Sequence, residues 1–172
     1  YTPEPNIGAY DDQRPWETCM TLGTQWSWKP NDKIKSVPEA LHILLKCVGG
    51  DGNLLLNVGP MPDGRIEPRQ VEVLQGIGAW LKKYGKSIYG TRGGPFKPTR
   101  SLVSTRKDKT IFVHVLRWDG DAIRLPAIQG KIVSAKALTG GKAEVQQSDD
   151  GITLRVAPEH RQEIDTIIAL RL

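Results

Sequence analysis

"SVPEALHILLKCVGGDGNLLLNVGP", residues 36–60, is the stretch on which the fold turns. Its first half opens with a capping box. Ser36 is placed to accept from the backbone N–H three residues on, and Glu39 can reach back to the N–H of Ser36. Leu41, Leu44, Leu45 and Val48 then recur at the spacing of a helix with one apolar face. Gly49-Gly50 ends it. The second half, "NLLLNVG", is a short unbroken apolar run closed by Gly59-Pro60. Without alternation it predicts a strand covered on both faces, as in a parallel sheet.

The flanks extend the same rhythm. "PDGR" (62–65) is a turn, and "EPRQVEVLQGIGAWLKKYG" (67–85) returns to helical spacing, with Val71, Leu74, Ile77, Leu81 and Tyr84 expected on one face. Pro68 suits a first helical turn, Lys82 and Lys83 suit the C-terminal end of the dipole, and Gly85 is the expected cap. On the other side, residues 18–22 form the short apolar core of a preceding strand. Residues 16–85 therefore predict strand, helix, strand, helix, a piece of an α/β repeat. Two parallel strands cannot close on themselves and leave open edges, so this part calls for neighbouring strands. "YTPEPNIGAY", with no initiator Met and no basic or apolar leader region, reads as the middle of a longer chain.

The texture changes after "IYGTRGGPFKPTRS" (88–101). "SLVSTRKDKTIFVHVLRWDGDAIRLPAI", "KIVSAKALTGGKAEVQQSDDGITLRVAP" and "TIIALRL" alternate β-formers with turn pairs at short intervals, which predicts a small antiparallel β domain. The expected division is 1–96 and 97–172.

Composition removes several classes. The chain has 172 residues, 38% of them hydrophobic and 25% charged, within the range of a folded domain. No apolar run is long enough to span a membrane. The net charge of +5 comes from single residues spread along the chain, a solvated basic surface rather than a nucleic-acid patch; Lys97 to Arg117 is the one basic stretch. Cys19 and Cys47 have no metal-ligand spacing and leave a disulfide open. "VGGDGN" follows a helix and lacks GK[ST], so it is no phosphate loop. His42, His114 and His160 are scattered and form no cluster.

"RPWETCMTLGTQWSW" (14–28) holds three of the five tryptophans, Trp16, Trp26 and Trp28, with Glu17 beside the first. Such flat faces need a core or a flat, partly apolar ligand. Loops after the C-terminal ends of parallel strands build binding sites, and aromatic faces flanked by Glu17, Gln25, Asn31 and Asp32 would suit a sugar. Core packing is the equal alternative for each Trp. Glu4, Asp11, Asp12, Glu17 and Asp32 are the carboxylates beside expected strand ends. Glycoside hydrolysis needs two carboxyl groups about 5 Å apart for retention and farther apart for inversion.

"PWETCMT", "QWSW", "GGDGNLLLNVGPMPDGRI" and "WLKKYGKSIYGTR" closely resemble the C-terminal portion of α-L-fucosidases of glycoside hydrolase family 29. The resemblance implies an α/β fold: the C-terminal part of a (β/α)8-like barrel followed by a small antiparallel β-sandwich. It implies retaining exo-hydrolysis of terminal α-L-fucose from glycans, with no cofactor or metal. The nucleophilic Asp and fucose-gripping His residues would lie upstream of Tyr1, in the remaining N-terminal part of the barrel. For the acid/base it offers Asp32 in "SWKPNDK", ranked ahead of Glu4 in "YTPEP", with Glu17 as an orienting residue. Trp16, Trp26 and Trp28 would wall the pocket. Leu54 would pack on the fucose methyl, and Met20 takes a substrate-facing position often held by Arg. A periplasmic or secreted bacterial location is implied as well. The alternatives from the residues alone are a non-catalytic carbohydrate-binding module and, far behind, a nucleic-acid binder.

Overall fold

The computed structural model describes residues 1–2, 4 and 6–172. Strand β1 (Glu17–Thr21) leads into helix α1 (Val37–Gly49), then strand β2 (Asn53–Asn57) and helix α2 (Pro68–Tyr84). The strands are parallel and in register from Glu17 opposite Asn53 to Thr21 opposite Asn57. The capping box forms as expected: Ser36 Oγ accepts from Glu39 N, and Glu39 Oε2 accepts from Ser36 N at 2.7 Å. These bonds hold the Glu39 carboxyl below its ordinary value.

Helix α2 turns part of its expected face inward, with Ile77, Leu81 and Tyr84 packed on the core. Its buried side chains are Gln70, Val73 and Trp80, while Leu74 is 38% exposed. The stripe is widened by Trp80, the largest side chain on the helix, which joins that core and packs on Tyr84 with ring centroids 5.4 Å apart. β2 also departs from expectation. Only one of its faces is covered, and Leu55 is 51% exposed.

Eight antiparallel strands follow: β3 (Arg92–Gly93), β4 (Leu102–Lys107), β5 (Thr110–Val115), β6 (Ile123–Leu125), β7 (Ser134–Ala137), β8 (Ala143–Ser148), β9 (Gly151–Val156) and β10 (Thr166–Arg171). One sheet has the order β3-β4-β5-β10-β7 and the other β6-β9-β8. The β4–β5 hairpin turns through Asp108 at φ 50°, a left-handed position that Asp tolerates. The five-stranded sheet takes in Arg92–Gly93, and Phe96 lies in the core between the sheets, both upstream of the division expected after residue 96.

The larger sheet is covered on both faces. Ile111, Val113 and Val115 point to the smaller sheet, where they meet Leu154 and Val156. Phe112 and Leu116 point the other way and share a core with Leu41, Leu45 and Trp80 of the helices. The order of layers is thus β1–β2, helices, large sheet, small sheet. Gly49 lets the end of α1 abut β4, since a Cβ there would sit 2.8 Å from Val103 Cβ. In the same seam His114 and Asp165 are fully buried, with Nδ1 and Oδ2 2.6 Å apart. His42 of α1 meets the carbonyl of Ile164 at 2.6 Å. Asp51 receives Arg92 and the N–H of Gly93, both at 2.5 Å, tying β3 to the α1–β2 turn. Cys19 and Cys47 are both free thiols. Burial pushes Cys47 up to about 11.

Candidate active site

The alternation of side chains sorts β1 and β2 into two faces. Thr18, Leu54 and Leu56 point to the helices, and Leu56 packs with Ala40 and Val73; Met20 lies on the same side near the end of β1, where it reaches the wall of the hollow described below. Glu17, Cys19, Thr21, Asn53, Leu55 and Asn57 make up the opposite face, which no helix covers. Leu54 therefore sits on the helix side, in a groove wall with Leu44 and Val48. Trp16 precedes β1, at the opposite end from the other two tryptophans. Its indole is 3% exposed, and Nε1 donates to Gly50 O at 3.2 Å. It lies so close over Gly52 that a Cβ there would come within 2.3 Å of the ring. Trp16 is a core residue by place and Leu54 a helix-packing one; neither is brought to the rim.

The rim is the loop of residues 22–35 after β1. Asp32, 5% exposed, organises it. Its carboxylate accepts from Thr24 Oγ1 at 2.6 Å, Thr24 N at 2.9 Å and Lys33 N at 2.8 Å, and Lys29 Nζ lies at 3.3 Å. The Thr24 bonds, with Lys29 nearby, lower its pKa to about 2. A general acid must hold a proton near working pH. Asp32, ranked ahead of Glu4, has its oxygens occupied as a loop anchor, and those bonds favour its charged form.

Trp28 is also occupied. Its Nε1 donates to Glu67 Oε2 at 3.1 Å. Glu67 in turn receives the Arg69 guanidinium, whose Nη1 donates to Asp32 O at 3.0 Å. Trp26 behaves differently. Asn57 Nδ2 donates to its carbonyl at 2.9 Å, while its indole is 45% exposed.

Trp26 faces an open hollow of about 750 Å³ together with Glu4, Met20, Thr21 and Lys33. Trp28 and Asp32 do not line it. Lys35 is turned into the wall, donating to Thr21 O at 2.8 Å and Gly23 O at 3.1 Å. The Cys19 thiol, on the open face, is pushed up first by desolvation and then by the charges of Glu4 and Glu17. Among the described residues, no three His, Cys, Asp or Glu side chains are grouped to hold a metal ion. Among the same residues no helix is long and apolar enough to cross a membrane.

Sequence reasoning missed Glu67, Arg69 and Asn57. One signal was present: Glu67 stands at the N-cap of α2, a position that favours Ser, Thr, Asp or Asn.

Fold and rim together are those of the C-terminal part of a (β/α)8-like barrel backed by a β-sandwich. The family model described as Alpha-L-fucosidase matches residues 1–86, and the chain belongs to that family. It is 34% identical over 115 residues to an alpha-L-fucosidase of Branchiostoma floridae, an alignment covering 60% of this chain and 24% of that protein. Among solved structures, alpha-L-fucosidase isoenzyme 1 of Paenibacillus thiaminolyticus superposes with a TM-score of 0.82 at 29% identity, over 92% of this chain and 40% of that one. The Thermotoga maritima alpha-fucosidase gives 0.80 at 27%, over 98% and 41%. The latter protein has also been solved with fucose and with a mechanism-based inhibitor. The chain spans about a quarter of the length of the Branchiostoma relative and about two fifths of these solved chains.

Proposed function

We propose that this chain is the C-terminal part of a retaining exo-α-L-fucosidase acting on fucosylated glycans, with Glu4 as the acid/base. An aspartate on an upstream strand attacks the anomeric carbon as the bond to the glycosidic oxygen breaks, and Glu4 gives its proton to that oxygen. In the second step Glu4 takes a proton from water as the water oxygen attacks the same carbon and releases the aspartate. Glu17, on the uncovered face, orients a sugar hydroxyl. Trp26 and Met20 wall the hollow. The uncovered face, with Leu55 exposed, supports further barrel strands upstream, and the division between barrel and sandwich falls before β3. The family resemblance also supports export to the periplasm or beyond the cell.

The observation that carries the role of Glu4 is its place: it shares the strand-end hollow with Trp26, while Asp32 is held by four donors. The test is a series of aryl α-L-fucosides of graded leaving-group acidity, hydrolysed by the full-length protein. Glu4→Gln should lower kcat/KM about 10²–10⁴-fold on the poorest leaving groups and steepen the dependence on leaving-group acidity. Asp32→Asn should leave that slope as in the wild type. Full activity of Glu4→Gln on poor leaving groups rules the assignment out.

A further inference from the structure

Glu67 begins α2 at the N-cap with an extended backbone (φ −57°, ψ 132°), yet its side chain makes no capping bond to its own helix. The buried carboxylate reaches the rim instead, accepting from Trp28 Nε1 and from Arg69. Arg69 continues to Asp32 O, and the Asp32 carboxylate holds Thr24 by both its N–H and its hydroxyl. Thr24 and Trp28 stand two residues either side of Trp26, whose own carbonyl is fixed by Asn57. The backbone around Trp26 is therefore pinned on both sides and at its centre. Its indole alone remains open to the hollow. Glu67, Arg69, Trp28 and Asp32 do not line that hollow; they act on it through Trp26 and through Thr24 and Lys33, which the Asp32 carboxylate holds.

Resting on the fucosidase reading above, we infer that Glu67 and Arg69 are positioning residues that hold Trp26 as the platform for the leaving-group sugar. The acid delivers its proton to the oxygen that departs with the leaving group. A wall shared with that acid therefore faces the leaving group, while the fucosyl ring lies deeper, over the uncovered face of β1 and β2. An indole there stacks on the apolar C–H face of a pyranose. The clamp thus sets which fucosylated glycan is cleaved well, and leaves bond cleavage itself to other groups.

The test compares two substrates of the full-length protein. A fucosyl disaccharide offers a sugar to Trp26, whereas α-L-fucosyl fluoride offers a single atom. Trp26→Ala should lower kcat/KM for the disaccharide about tenfold or more, mostly through KM, and change the fluoride by less than about twofold. Arg69→Met and Glu67→Gln should reproduce that split, with the slope across aryl fucosides unchanged. Trp28→Phe, which keeps the ring and deletes its donor, gives the same split should the Arg69 variant fail to fold. If Trp26→Ala shifts the substrate ratio and the clamp variants do not, or if they lower both substrates equally, the positioning role is overturned. If Trp26→Ala itself leaves the ratio unchanged, the platform falls; if Glu4→Gln keeps full activity on poor leaving groups, the fucosidase assignment of this rim falls instead.

Discussion

The strands of the sandwich and the strands of the barrel solve opposite problems with similar residues. β5 is buried on both faces. Val113 meets the small sheet, Phe112 meets the helices, and its one ionisable side chain, His114, is paired with Asp165 in the seam. β2 has the same apolar run on paper, yet Leu55 is half exposed, and Asn53 and Asn57 share its uncovered face. The difference separates scaffold from site. A strand closed on both sides has no polar group left to offer, while one closed on a single side presents a row of them.

The comparison can be broken most sharply at the seam. Replacing His114 or Asp165 by Ala leaves the other partner alone in a site without solvent, and should cost about 3–5 kcal/mol in chemical denaturation. An apolar pair of similar volume at both positions should cost much less. A single variant within about 1 kcal/mol of wild type would mean the seam is wetter than its burial implies.

Next in size is the contrast between two leucines. Leu170→Ala opens a cavity in the sandwich core, where Leu170 is fully buried, and should cost about 2–5 kcal/mol. Leu55→Ala in the 172-residue chain should cost under about 0.5 kcal/mol. In the full-length protein the Leu55 variant should cost more, since upstream strands would then cover it. Equal values in both chain lengths would remove the case for that cover.

The smallest effect is the pH dependence at the rim. Asp32 titrates at about 2 in the folded chain against an ordinary value of 3.8. A lowered carboxyl stabilises the fold above its ordinary value and loses that contribution as pH falls through the folded one. Wild type should therefore lose stability relative to Asp32→Asn between about pH 4 and about pH 2. A difference that stays constant over this window would show that the Thr24 bonds do not hold the charge.

Much of the frame was legible because it depends on local rules. The capping box of Ser36 and Glu39, the parallel strand before Gly59-Pro60 and the turn at residues 62–65 are each written within a few adjacent residues. The site was less so. Three tryptophans in one short stretch look like one pocket, but β1 lies between Trp16 and Trp26, and its five residues put roughly 17 Å between the strand ends. Three consecutive leucines cannot announce which one faces inward, because a shift by one residue exchanges the faces. Leu54 is drawn to the helices for that reason. The resemblance ranks Asp32 ahead of Glu4 by its place in the loop, and a place in the sequence does not count the donors that converge on a folded carboxylate.

The shared core of Leu41, Leu45, Trp80, Phe112 and Ile167 has a practical consequence. Excising the sandwich to obtain a minimal catalyst would strip the outer cover from both helices and leave a broad greasy patch on the product. Such a truncation would be expected to precipitate on expression, and grafting a foreign sandwich in its place would require matching that patch residue for residue.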